Sequence, residues 1–100
     1  MSVKRNYKIA VNWFLKASIQ GFTRAHINLS VAYAHGQGVS RNYVRAFAWA
    51  DAGAKLAKQP QQRKKLIRLR EKAAQKLSPD QQSVAKRLAA ELYQSHKPKN

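Results

Sequence analysis

Val3-Lys4-Arg5-Asn6-Tyr7-Lys8-Ile9-Ala10-Val11-Asn12-Trp13 aligns with Val39-Ser40-Arg41-Asn42-Tyr43-Val44-Arg45-Ala46-Phe47-Ala48-Trp49 at an offset of 36, and six of the eleven positions are identical. Ala17 continues the register opposite Gly53. Six identities at one offset point to a duplicated unit. A period in the mid-thirties is the length of two short helices and their turns, the unit of an α-solenoid.

Working outward from this pair, the local signals all read helix. Between Asn6 and Ile19 the larger apolar residues fall at Tyr7, Ala10, Trp13, Phe14 and Ala17, a helical spacing that predicts an inward face. Gly21 stops that helix, because glycine takes the left-handed conformation at helix ends. Thr23 reads as the N-cap of a second helix to His35, with Ala25, Leu29, Ala32 and Tyr33 on one face. Gly36-Gln37-Gly38 breaks it, and a third helix from Tyr43 to Leu56 carries Tyr43, Ala46, Phe47, Trp49 and Ala50 inward. Pro60 opens a fourth helix to about Lys76, with Leu66, Leu69, Ala73 and Leu77 as its stripe. Ser78-Pro79-Asp80-Gln81 combines a capping serine, a proline in the first turn, an early acid and a capping-box glutamine. The fifth helix that follows has Val84, Ala85, Leu88, Ala89 and Leu92 as its core stripe. The expectation is an all-α fold, a short α-solenoid of about five antiparallel helices.

These residues resemble the Sel-one-like repeat, a relative of the tetratricopeptide repeat. The resemblance rests on Ala10, Trp13-Phe14, Lys16-Ala17, Gly21, Ala25, Leu29, Tyr33 and Gly36-Gln37-Gly38-Val39, followed by Tyr43, Ala46 and Trp49. It implies one and a half repeats over residues 1–57 and a closing two-helix cap over 58–95, basic in this chain, while residues 96–100 read from their own composition as a frayed tail. The chain departs from the pattern at Asn6 and Asn42, where an acid is common before the tyrosine, and at Ser30, where glycine is usual. It also has Asp51-Ala52-Gly53-Ala54 in place of the usual Lys-Ala-Ala. The family implies an adaptor that holds other proteins on a concave face, without catalysis.

Composition narrows the chemistry. The 100 residues hold 20 Lys and Arg against four Asp and Glu, a formal charge of +16 that calls for an anionic partner. The absence of cysteine excludes disulfides, thiolate metal sites and cysteine nucleophiles. No apolar run approaches the ~20 residues of a membrane span, and the first residues lack a signal-peptide core. The expected location is cytoplasmic, or periplasmic or secreted if a leader has been removed. Asp51, Glu71, Asp80 and Glu91 are dispersed, which argues against a paired-carboxylate hydrolase. Asp80 reads as a helix-terminal charge, and Glu91 as the surface partner of Arg87. His26, His35 and His96 lack metal-ligand spacing and read as solvent-facing or turn-adjacent. Neither a cofactor nor a metal is expected, and Gly36-Gln37-Gly38 is too short for a dinucleotide fingerprint. The aromatics read as core rather than as base-stacking platforms, because the same types recur at the same repeat positions.

One surface feature stands out. Residues 55–76 hold Lys55, Lys58, Arg63, Lys64, Lys65, Arg68, Arg70, Lys72 and Lys76 against Glu71 alone. On this reading Arg24, Asn28 and Val31 of the second helix face a partner, and Lys64, Lys65, Arg68 and Lys72 steer an acidic protein toward it. The alternative is a sequence-independent nucleic-acid binder, since Lys64, Arg68 and Lys72 rise at ~6 Å intervals along one helix. Pairing of copies through the amino-terminal half-repeat, by way of Ile9 and Leu15, is a third expectation.

Overall fold

The computed structural model describes residues 6–96, which form five helices: α1 (Tyr7–Ile19), α2 (Thr23–His35), α3 (Tyr43–Leu56), α4 (Pro60–Ala74) and α5 (Pro79–His96). The chain is all-α, and no strand occurs among the described residues. The expected tail falls largely outside them: His96 closes α5, and 97–100 are not described.

Local chemistry sets the ends. Asn6 and Asn42 occupy the positions where the repeat pattern favours an acid, and each caps its helix: Ile9 N–H donates to Asn6 Oδ1 at 3.1 Å and Arg45 N–H to Asn42 Oδ1 at 3.0 Å. Asparagine caps as well as aspartate, so the exchange keeps the helix start and removes a negative charge. The expected box at α5 is present, with Gln81 N–H donating to Ser78 Oγ at 3.2 Å and Ser78 N–H to Gln81 Oε1 at 2.9 Å. Gly36 takes φ 69° after α2 and Gly38 φ 79°. A Cβ on Gly38 would overlap the Tyr7 carbonyl, so that glycine lets the turn lie against the start of α1.

Packing centres on α3. It touches α2, α4 and α5, while α4 lies beside α2 and α1 covers the other flank of α2. Its residues Ala46 to Ala54 are buried without interruption, as expected of a helix covered on every side. Small residues make this approach possible. A Cβ on Gly53 would sit 2.7 Å from His26 Cβ and 3.0 Å from Leu66 Cδ2. Ser30 Oγ donates to the Ala46 carbonyl at 2.8 Å across the same interface. Leu29 and Leu66, both wholly buried, anchor the apolar clusters on either side of α3.

Five expectations are corrected. Trp13 and Tyr7 are not core residues: Trp13 is 65% exposed, whereas its repeat equivalent Trp49 is 4% exposed. Trp49 meets His26 of α2 edge-on at 5.3 Å. Among the described residues no helix precedes α1 in the way α2 precedes α3, and Lys16 Nζ lies 5.1 Å from the Trp13 ring centroid. Val84 is also exposed, because α5 turns Ala85 and Ala89 toward α3 instead. Thr23 is not a cap: Phe22 holds that position, and the Thr23 hydroxyl donates to Gln62 Oε1 of α4. His26 is not solvent-facing but fully buried, its Nδ1 donating to the Phe22 carbonyl at 3.0 Å. Finally, Arg87 and Glu91 form no ion pair; the acids that pair among the described residues are Asp51 and Glu71.

Candidate partner-binding face

Arg24, exposed, and Asn28 and Val31, half-buried, follow one another at helical spacing along one side of α2, with grooves to either side. Toward α1, Asn28 borders two adjoining grooves of about 380 and 430 Å³ that share Phe14. The first has Tyr7, Ala10 and Val31 along its walls. The second has Phe22, Arg24 and Gln62. Toward α4, Val31 borders a further groove of about 350 Å³ with Leu69, Lys72 and Lys76 on its far wall. Arg24, Asn28 and Val31 therefore lie along one side of α2, and Lys72 stands across the α2–α4 groove from Val31.

The α4 cations divide. Leu69 and Lys72 of α4 and Lys76 in the turn after it border the groove, and Lys65, four residues before Leu69, continues that side of α4 without lining the groove. Lys64 and Arg68 are exposed and sit farther round the helix, toward its outer surface. The sequence could not separate these two sets from the rest of the basic run. Three members of that run have structural work: Lys55 Nζ lies 3.4 Å from Asp51, Arg70 bonds Asp51 at 2.9 Å and Glu71 at 3.0 Å, and Arg63 donates to the Ala57 carbonyl at 2.7 Å. Burial opposes the charge on Arg70, but its bonds to Glu71 and Asp51 outweigh that and raise its pKa above the ordinary value. Two of the four acids are thereby tied up on the far side of α4. The other two, Asp80 and Glu91, are on α5.

Two contributors went unrecognised in the sequence. His35 and Arg41 border the α2–α4 groove although neither belongs to the basic run. Arg41 lies in the turn before α3, with its guanidinium carbon 5.5 Å from the Tyr43 ring centroid. Its only sequence signal is recurrence of the Arg-Asn-Tyr triplet, since Arg41 repeats Arg5. On α1, Leu15 packs into the cluster around Trp49, while Ile9 is exposed beside Trp13; the surface proposed for pairing of copies therefore contains Ile9 and not Leu15.

No three His, Asp or Glu side chains among the described residues come together in a way that holds a metal ion, and no helix there is long and apolar enough to cross a membrane. The arrangement offers grooves, amides and cations for recognition.

Comparison with known proteins bears on the fold. The Sel1 repeat pattern matches residues 1–22 and 23–57. A crystal structure of c5321, a protective antigen present in uropathogenic Escherichia coli strains displaying an SLR fold, is similar with a TM-score of 0.86 and 29% identity. The likeness covers 96% of this chain and 20% of that one, so the chain spans about a fifth of that protein's length. No curated protein sequence matches.

Proposed function

The chain belongs to the Sel1 repeat family, whose repeats generally mediate protein–protein interaction, and from that premise we propose that it is a non-enzymatic adaptor or inhibitor whose basic helical face binds an acidic partner protein. The observation that carries the reading is the segregation of charge. Among the described residues Lys64, Lys65, Arg68, Lys72 and Lys76 have no acid within ion-pairing distance, and Asp51 and Glu71 are held by Lys55 and Arg70. A surface made only for solubility mixes both signs. Unpaired cations beside a groove raise the association rate of an acidic protein and set its orientation more than they add affinity. A cytoplasmic location is part of the proposal.

The test is affinity capture with the whole chain from nuclease-treated lysate, beside a Lys65→Glu/Arg68→Glu/Lys72→Glu variant. Capture of an acidic protein that survives nuclease and is lost in the variant supports the reading. If nuclease abolishes capture, the ligand is nucleic acid and the protein-adaptor reading fails. If the variant captures the same protein, the α4 face is not the surface used.

A further inference from the structure

We infer that the groove between α2 and α4 receives one apolar side chain of an acidic peptide, with carboxylates on either side of that residue seated on Arg41, Lys72 and Lys76. This rests on the acidic-partner reading above and deepens it, naming where the segment docks and what its sequence must contain.

The groove has two kinds of lining. Val31, Ala34, Leu69 and Ala73 supply an apolar floor, and Arg41, Lys72 and Lys76 supply positive charge around it, with no acid among the lining residues. Lysines at or just past the end of a helix also complement its dipole, which would by itself account for Lys72 in the last turn of α4 and Lys76 in the turn after it. Arg41 has no such duty. It belongs to no helix and lies against the Tyr43 ring, with no carboxylate within ion-pairing distance among the described residues. Its charge is oriented and unpaired.

Size and polarity decide what fits. About 350 Å³ is near the low end of the ~300–1,000 Å³ typical of small-ligand sites, enough for a side chain and its flanking backbone but not for a helix. A nucleic-acid backbone would engage the cations and leave Val31 and Leu69 without a contact. An acidic segment with one leucine-like residue satisfies both at once, since it carries its own apolar group to the floor. The order required is acid, apolar residue, acid.

Fluorescence anisotropy on the whole chain at low salt tests this with labelled synthetic peptides: a glutamate-rich peptide with a central leucine, and the same peptide with serine there. A short DNA duplex serves as the third probe. The leucine peptide is expected to bind about tenfold more tightly than the serine peptide, the fold-change for roughly 1.4 kcal/mol of partial leucine burial. Lys72→Glu/Lys76→Glu should weaken both peptides at least about tenfold, whereas Lys64→Glu on the outer surface changes either by less than about threefold. Leu69→Ala should narrow the gap between the two peptides without abolishing their binding. Thermal melts of each variant report whether it is folded. Equal affinity for the two peptides, with both still weakened by the lysine reversals, overturns the groove inference and leaves the acidic-partner reading standing. Binding of neither peptide, or preference for the duplex over both, overturns the two together.

Discussion

Replacing Gly53 by alanine puts the packing of α2 on α3 to a direct test, because two effects of known size act with opposite sign. In a helix interior alanine is the better residue by about 1 kcal/mol, through the backbone entropy that glycine loses on folding. Were the interface loose, Gly53→Ala would stabilise the protein by that amount. The structure predicts the reverse. The added Cβ would stand 2.7 Å from His26 Cβ and 3.0 Å from Leu66 Cδ2. His26 Cβ is fixed to its backbone, so the contact cannot be relieved by a rotamer change and α2 must move away from α3. Overpacking of this kind costs about 1–3 kcal/mol; the 2.7 Å approach to a fixed Cβ puts it in the upper part of that range, about 2–3 kcal/mol, and after the helical gain of about 1 kcal/mol we expect a net loss of about 1–2 kcal/mol. For a chain of this length that lowers Tm by roughly 5–15 °C. Thermal and urea unfolding followed by far-UV circular dichroism would measure it. Adding His26→Ala should not restore stability, since the crowded atom is the Cβ that alanine keeps. A Gly53→Ala variant that melts at or above the wild-type temperature would refute this account of the interface.

The two tryptophans of the duplicated unit should behave as different residues: Trp49→Ala is expected to cost about 3–5 kcal/mol and Trp13→Ala less than ~1 kcal/mol, measured by urea unfolding. Acrylamide should quench Trp13 readily in the Trp49→Phe variant and quench Trp49 poorly in the Trp13→Phe variant; equal quenching would contradict the placement of α1. Ser78→Ala removes the acceptor for Gln81 N–H and should lower stability by about 1 kcal/mol, recovered largely by Ser78→Asp. No recovery with aspartate would mean that the serine acts through something other than the cap.

The helices themselves were open to reading because their causes are local. Turn glycines, a capping box and apolar spacing act over a few residues, and the ends of α2 at His35 and of α3 at Tyr43 and Leu56 fall where those signals put them. The misread side chains share a different cause. Thr23 looks like a cap by type and position, yet its hydroxyl bonds Gln62 on α4, 39 residues away and invisible to any local rule. His26 looks like a surface histidine by type, but the Phe22 carbonyl and the Trp49 ring enclose it. That Arg24, Asn28 and Val31 share one side of α2 could be read from the sequence because helical phase fixes it. Arg41 was missed because it lies in a turn, where phase says nothing.

The amino-acid order by itself determined five helices, their boundaries within a few residues, the duplication and a large unopposed positive charge. Only the tertiary structure decided that Trp49 is buried while Trp13 is exposed, and which cations face the α2–α4 groove and which are bound to Asp51, Glu71 or the Ala57 carbonyl. The physical reason is the range of the forces involved. Helix formation is settled by hydrogen bonds between residues four apart, so it is written in short stretches of sequence. Burial and charge pairing depend on which helix lies alongside, and two tryptophans at the same position of a duplicated unit therefore meet different fates.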